Sequence, residues 1–100
     1  MANAYIIAEL AVVDPVAYKA SGYMAMAEAS VAAHGGRFIV RGGSAILLEG
    51  EPAPGRIVVL EFPSLESAQL FYASEDYAPA IVLRQTLSTA RLVLVDGYEP

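Results

Sequence analysis

Three charged residues within strand-like segments are the first candidates for chemistry. By strand alternation, Glu9, Glu61 and Arg41 fall on one face of a sheet, among aliphatic side chains. A carboxyl group in apolar surroundings has a raised pKa unless a cation pairs with it, and such a group suits general acid–base catalysis. Glu9 and Glu61 are therefore candidate catalytic residues. In the structural alternative, Arg41 or Arg56 pairs with these carboxylates.

Tyrosines on the helical segments form a second candidate group together with Arg84. Aromatic rings with polar tips, beside a helix break after Ser74, could line the mouth of a pocket in which an arginine binds a carboxylate. In the alternative interpretation, the tyrosine hydroxyls cap loops and Arg84 pairs with Glu75 or Asp76. The candidate ligand-binding residues are Arg41, Tyr72, Tyr77 and Arg84.

Residue counts exclude several kinds of site. The chain has no cysteine and one histidine, which excludes disulfides, zinc fingers, iron–sulfur clusters and thiol nucleophiles. His34, at the end of a predicted helix, is expected to interact with the last helical carbonyl groups. Neither a dinucleotide-binding fingerprint nor a serine-hydrolase elbow occurs in the sequence. We therefore predict no metal site and no cofactor.

Length, charge and hydropathy restrict the class of protein. A chain of 100 residues makes one domain, predicted over residues 1–100. The net charge of −5 argues against a sequence-independent grip on nucleic acid or on an anionic membrane. The apolar runs are as long as strands and far shorter than the ~20 residues that cross a bilayer. We predict a cytoplasmic protein with neither a nucleic-acid nor a membrane partner.

Apolar periodicity, turn residues and helix caps predict the secondary structure. Asp14 and Ser64 are expected N-caps. Gly42-Gly43 forms either a bulge within one bent strand or a turn between two strands, and the bulge is favoured. Strands are predicted over residues 4–13, 37–41, 45–49, 56–62 and 91–95. Helices are predicted over residues 15–34, between Ser64 and the interruption at Ser74-Glu75-Asp76, and over residues 78–87.

The order β-α-β-β-α-β predicts an α+β, ferredoxin-like antiparallel sheet with the helices on one face. The opposite face of such a sheet is normally polar, because it meets water. Here the predicted strands carry aliphatic residues of that parity as well, and a second sheet is needed to cover them. We therefore expect a homodimer that joins through its sheet faces. These aliphatic residues are Ile7, Ile39, Val59, Val93 and Val95.

Several short motifs occur together along nearly the whole chain. They are Ala4-Tyr5-Ile6-Ile7, Arg41-Gly42-Gly43, Phe62-Pro63-Ser64, Tyr72-Ala73-Ser74 and the following Tyr77. In this combination the sequence resembles the domain of unknown function 1330 family, of the dimeric α/β-barrel superfamily. Phe71 stands where that family often has tryptophan, so an aromatic ring is retained. The resemblance implies the fold, a dimer and a bacterial cytoplasmic setting, and it implies no activity.

Two classes of function follow from these residues. In the first, the protein binds or turns over a small, mostly apolar acid or carbonyl compound without a cofactor. In the alternative, it is a non-catalytic structural or stress-linked dimeric module. The superfamily implied by the resemblance includes cofactor-free monooxygenases, lactone isomerases and haem enzymes, which is an analogy of fold alone. An organised cavity with converging arginine and glutamate residues favours the first class, and a filled interior favours the second.

Overall fold

The computed structural model describes residues 3–52 and 54–99, so both ends of the predicted domain (Met1, Ala2 and Pro100) and Ala53 lie outside the described residues. These described residues form four strands and four helices in the order β-α-α-β-β-α-α-β. In chain order they are β1 (Ala4–Val12), α1 (Pro15–Ala20), α2 (Tyr23–Ala33), β2 (Arg37–Arg41), β3 (Arg56–Phe62), α3 (Leu65–Tyr72), α4 (Ala78–Leu87) and β4 (Ser88–Asp96).

The four strands form one antiparallel sheet in the order β2-β3-β1-β4. Ile6 of the central strand β1 lies opposite Leu60 of β3 and opposite Leu94 of β4. Along β1 the even-numbered side chains from Ala4 to Leu10 are buried beneath the helices, whereas Ile7 is 42% exposed. The predicted α+β, ferredoxin-like sheet with the helices on one face is confirmed.

The first predicted helix is two helices, and its prediction over residues 15–34 is wrong at Ser21-Gly22. The Ser21 hydroxyl donates to the Tyr18 carbonyl and accepts from the Tyr23 amide, which turns the chain between α1 and α2. Gly22 has a φ of +83°, a left-handed conformation that most residues avoid. The break rotates α1, so that Tyr18 is buried and Val16 is 78% exposed.

The strand predicted over residues 45–49 is a loop, and the favoured bulge at Gly42-Gly43 is wrong. β2 ends at Arg41. The Gly42 amide still donates to the Ile57 carbonyl at 2.9 Å, and its φ of +71° turns the chain away after that bond. Within the described residues, no strand lies beside the run at 45–49, so its backbone has nothing with which to form a ladder. The irregularity in β2 comes earlier, where the register shifts between Phe38 and Val40.

The end of the chain follows the prediction more closely. Ser64 caps α3, since its hydroxyl accepts from the Ser67 amide at 3.1 Å. The helix stops after Tyr72 and resumes at Ala78, as predicted from the interruption between them. β4 begins at Ser88, three residues earlier than predicted, because β1 pairs with it along its full length. Asp14 caps α1 as expected.

One face of the sheet is left uncovered by this chain. The molecule measures 38 × 37 × 17 Å, which is the thickness of one sheet and one layer of helices. Aliphatic side chains on the uncovered face are roughly two-fifths exposed, namely Ile7, Ile39, Val40, Val93 and Val95. Within the described residues, no helix has the length and apolar character to span a membrane.

Candidate functional site

A small cavity of about 40 Å³ lies between the sheet and the helices. Most of its wall is aliphatic and comes from both layers. Three arginines and three tyrosines also line the cavity. They come from α1, α2, β2, β3, α4 and the turn before α4. These polar lining residues are Arg41, Arg56, Arg84, Tyr18, Tyr23 and Tyr77. The structure thus brings together two of the predicted arginines and one of the predicted ligand-binding tyrosines.

Arg84 is the most deeply buried charged residue of the cavity. It lies in the last turn of α4 and is 4% exposed. Its Nε has no hydrogen-bond partner, and within the part of the chain described here its guanidinium forms no ion pair. The predicted alternative of a pair with Asp76 is not observed, since Asp76 accepts instead from the Ser30 hydroxyl at 2.9 Å. A buried charge without a counter-ion is destabilising.

Arg56 brings a second guanidinium to the same cavity. It is the first residue of β3 and lies opposite Leu10 of β1, so it faces the helices. Its Nε is also buried without a hydrogen-bond partner. Gly42 packs directly on this guanidinium, and a Cβ at that position would collide with it. The glycine at the end of β2 therefore leaves room for the Arg56 side chain.

Arg41 lines the cavity from β2, but its guanidinium already has partners. It donates to a Glu28 carboxylate oxygen at 3.2 Å and to the Met24 carbonyl at 3.3 Å. It also lies over the Phe38 ring, 4.0 Å from the centroid. The expectation that Arg41 shares a face with the two glutamates is wrong. The register shift around Ile39 inserts one residue into β2 and moves Arg41 to the helix side.

Tyr23 and Tyr77 form a buried hydroxyl pair at the cavity. Their oxygen atoms are 2.7 Å apart, and the residues are 9% and 3% exposed. Burial, with the neighbouring Tyr77 as a smaller cause, raises the pKa of Tyr23. The Tyr18 ring lies 5.7 Å from the Tyr23 ring, and burial raises the pKa of Tyr18 as well. The Tyr18 and Tyr23 hydroxyls are therefore neutral hydrogen-bond donors at ordinary pH.

A wider groove of about 530 Å³ adjoins the cavity beside α1. The groove and the cavity have Leu10, Tyr18, Met24 and Arg56 in common, so the groove leads towards the buried arginines. Its remaining wall is mostly apolar, and Lys19 contributes one further cation. The two spaces together form a site with a narrow cationic end and a broad apolar end.

The predicted catalytic glutamates lie on the other side of the sheet from this cavity. Glu9 is exposed there, opposite Arg91 of β4. Glu61 accepts from Arg37 Nε at 2.7 Å, and hydrogen bonds from Arg37 and Asn3 lower the pKa of Glu61. The uncovered face was expected, but the pairing partner of Glu61 is Arg37 rather than Arg41 or Arg56. Converging arginine and glutamate residues are not found in the cavity.

Tyr72 and His34 also lie outside the cavity. Tyr72 is 41% exposed, with its ring 6.0 Å from that of Tyr77, and it faces a shallow groove between α3 and β4. His34 Nδ1 is 2.9 Å from the Ser30 carbonyl oxygen, as expected for a histidine at a helix end. Within the described residues, no cluster of histidine, cysteine, aspartate and glutamate could hold a metal ion.

Arg56 is the residue of the cavity that the sequence reasoning treated only as an ion-pair partner. Its position has the same parity as Val58 and Leu60, which are helix-facing positions of the strand. That parity was the signal that could have placed Arg56 among the ligand-binding candidates.

The family model for a domain of unknown function, DUF1330, matches residues 3–98. The chain belongs to the DUF1330 family. This confirms the resemblance seen in its motifs. None of the curated proteins matches the chain in sequence.

Solved structures show the fold that this DUF1330 chain shares. RPA0582, a protein of unknown function from Rhodopseudomonas palustris, superposes with a TM-score of 0.75 at 16% identity, over 99% of this chain and 85% of that one. SnoaB, a cofactor-independent oxygenase from Streptomyces nogalater, superposes with a TM-score of 0.72 at 16% identity, over 100% and 97%. At such identities the likeness concerns the fold alone.

Proposed function

We propose that this DUF1330 protein binds a small, mostly apolar acid or carbonyl compound between its sheet and its helices. The ligand's oxygen atoms lie at Arg84 and Arg56, and its apolar body lies in the adjoining groove. The observation that carries the proposal is the Arg84 guanidinium, 4% exposed and without a counter-ion among the described residues.

Charge supports an anionic or strongly polarised ligand. Arg84 is buried and Arg56 is half-buried, and each has a buried Nε without a hydrogen-bond partner. No carboxylate is among the lining residues of the cavity, and Glu28, which lies beside it, forms its ion pair with Arg41. A ligand that supplies negative charge would therefore relieve the cost of burying the Arg84 guanidinium. Arginine also offers the paired donors that match a carboxylate.

Size supports a ligand that is polar at one end only. The inner cavity, at about 40 Å³, holds about one or two water-sized groups. A carboxylate or carbonyl head fits in that space, and the rest of the molecule extends outward. The groove of about 530 Å³ has mainly aliphatic and aromatic walls, which suits a hydrocarbon chain or ring.

The test compares acids with their neutral analogues. Benzoate, phenylacetate and octanoate are titrated by calorimetry and by thermal unfolding, with the corresponding amides as controls of equal shape. We expect the acids to raise the melting temperature and the amides to have little effect, and we expect Arg84→Gln to abolish the difference. Gln85→Ala, at the neighbouring exposed position of α4, is the matched control and should behave as the wild type. Equal binding of acids and amides would contradict the proposal.

Cofactor-free turnover of the same ligand is the catalytic form of this proposal. The fold is compatible with it, since SnoaB is described as a cofactor-independent oxygenase. The structural-module alternative is supported less well, because it requires a filled interior, whereas a cavity lies between the sheet and the helices and shares lining residues with a groove. Each ligand that binds is incubated with the protein in air, and mass spectrometry then shows whether the ligand has been converted to a product. This separates binding from turnover.

We also propose that a second copy of the chain covers the open sheet face. The four strands have nine, five, seven and nine residues, which gives a face of roughly 480 Å² per copy. Two such faces come close to the ~1,000 Å² that a specific interface needs. The face also carries both signs of charge, with Arg37, Glu61, Glu9 and Arg91, so a two-fold copy can match it.

Light scattering tests the dimer. We expect a mass of twice 10.6 kDa at micromolar concentration. Val59→Asp, in the middle of the open face, should dissociate or unfold the protein, because an unpaired carboxylate is costly in an apolar interface. Val82→Asp, on an outward position of α4 that is 65% exposed, is the control and should leave the mass unchanged. A wild-type monomer would contradict the proposal.

A bacterial, cytoplasmic setting completes the proposal. The origin of the two similar structures, in Rhodopseudomonas palustris and Streptomyces nogalater, supports the bacterial part alone. Cell fractionation with an antibody to the native protein would test the compartment.

A further inference from the structure

The Tyr23–Tyr77 pair has a hydrogen-bond donor that its own contact does not use. Each tyrosine hydroxyl carries one proton, and a single hydrogen bond between the two oxygens uses one of the two. Both residues are at least nine-tenths buried, so water does not reach the second donor freely. Neither hydroxyl has another hydrogen-bond partner among the described residues, and both tyrosines line the cavity, so the second proton can be donated to a ligand there.

Arg84 and this hydroxyl pair converge on the same small space. Tyr77 begins the turn that leads into α4, and Arg84 lies in the last turn of that helix. Tyr23, at the start of α2, completes the arrangement. A neutral donor beside a guanidinium without a counter-ion is the environment that stabilises negative charge on a single oxygen atom.

We infer that the site binds weak oxygen acids, such as phenols and enols, in their ionised form. This inference rests on the proposed function and narrows its ligand class. The ligand's hydroxyl proton passes to solvent, and the oxygen that remains accepts hydrogen bonds from Arg84 and from the tyrosine pair. No bond other than O–H is broken, and nothing is oxidised or reduced. The outcome is a bound phenolate or enolate, which is electron-rich at carbon.

The other charged and titratable groups around the cavity favour the same state. Arg56 comes from β3 without an ion-pair partner among the described residues, whereas Arg41 comes from β2 and is paired with Glu28 of α2. Tyr18 comes from α1, and burial keeps its hydroxyl neutral by raising its pKa. β1 and β4 contribute only apolar side chains to the cavity. Since no acidic side chain lines it, nothing there opposes an anion.

The inner cavity also suits an oxygen atom on a ring or an unsaturated chain. At about 40 Å³ it admits the oxygen and little more, so the carbon skeleton must lie at the groove. The Tyr18 ring and the Met24 side chain border both spaces, and a flat apolar body can pack against them. The reaction class that such binding prepares is attack by the ionised ligand's carbon on an electrophile.

The experiment uses para-nitrophenol, whose neutral and ionised forms absorb differently and which ionises near neutral pH. Its binding is measured by equilibrium dialysis, and the ionised fraction of the bound probe is followed by absorbance across a pH series. We expect binding to shift the bound probe towards its anion by about tenfold or more relative to free solution. Arg84→Gln should remove most of that shift, and Tyr23→Phe should reduce it. Gln85→Ala, at an exposed position of α4 beside Arg84, should leave it unchanged.

Benzoate, measured alongside, separates the inference from the proposal beneath it. If para-nitrophenol binds without a change in its ionisation, the inference is overturned and anion binding stands. The same holds if benzoate binds and para-nitrophenol does not. If neither binds, the proposed function fails, and the inference fails with it. A shift that persists in Arg84→Gln would also overturn the inference, because the charge would then come from elsewhere.

Discussion

Replacing Arg84 with methionine should make the unliganded protein more stable while removing its ligand binding. Methionine keeps an unbranched apolar stem of similar reach and removes the guanidinium. In the wild type that group is 4% exposed, its Nε lacks a hydrogen-bond partner, and no carboxylate faces it among the described residues. The substitution therefore removes a buried charge without breaking an ion pair.

The size of the effect follows from two opposing contributions. Burying a cation without a counter-ion costs several kcal/mol, and replacing buried charges with apolar groups commonly stabilises proteins by about 1 to 4 kcal/mol. Against this, Arg84 lies in the last turn of α4, where the helix dipole favours a cation by about 0.3 to 1 kcal/mol. The net expectation is a gain of about 2 kcal/mol. For a chain of 100 residues this raises the melting temperature by roughly 8 to 16 °C.

Thermal and denaturant unfolding of the wild type and of Arg84→Met, each with and without benzoate, make the assay. At a hundredfold excess over Kd, benzoate should stabilise the wild type by about 2.7 kcal/mol and leave the variant unaffected. Gln85→Met, at the neighbouring exposed position of α4, is the control and should change stability by less than about 0.5 kcal/mol. A melting temperature several degrees lower in Arg84→Met than in the wild type would refute the reasoning, because the guanidinium would then stabilise the fold.

Three further predictions concern the cavity wall, the open face and a helix cap. Gly42→Ala should destabilise the protein by about 1 kcal/mol or more, because Gly42 has a positive φ and the Arg56 guanidinium packs on it. Gly43→Ala, where a Cβ would meet open space, should have the melting temperature of the wild type. Equal melting temperatures of the two variants would contradict this. The Arg37 hydrogen bond depresses the pKa of Glu61 below 4.5, so its stabilisation is present above that pH and lost as the pH falls through the lowered pKa. Glu61→Gln should therefore flatten acid unfolding, and an unchanged acid limb would count against the pairing. Ser64→Ala should cost about 1 kcal/mol in urea unfolding, and a neutral result would show that the cap is not used.

Much of the fold could be predicted because local signals and tertiary structure agree there. Alternating apolar residues in β1 and β3 match a sheet whose two central strands carry the core. The caps at Asp14 and Ser64 begin helices where the sequence predicts them. Each of these signals depends on neighbours within a few positions, so it is readable without knowledge of distant contacts.

The errors occur where one residue changes the geometry of a longer run. Gly22 sits inside an apolar pattern that continues across it with helical spacing, so the pattern predicts one helix although the chain turns there. The run at 45–49 has the composition of a strand, but a strand requires a neighbour, and the described part of the chain provides none beside it. Pairing between distant segments therefore determines both that residues 45–49 form a loop and that β4 is longer than predicted.

The candidate site shows the same division between residue types and positions. Arg84 and Tyr77 could be named from their types, because a buried arginine near aromatic rings is a frequent anion site. The face on which Arg41 lies could not be predicted, because a bulge depends on how two strands pair and not on one strand's sequence alone. With the extra residue at Ile39, two consecutive side chains of β2 face outward, and Arg41 then faces inward.

The bulge therefore links the two surfaces that we propose to be functional. It exposes both Ile39 and Val40 on the open face, where a second copy would cover them. It also turns Arg41 towards Glu28 and Met24, so that this cation is neutralised from the helix side. Arg56 and Arg84 are left as the cavity's guanidinium groups without counter-ions among the described residues. The inserted residue thus adds apolar area to the open face and, by the same shift, brings Arg41 to Glu28 on the helix side.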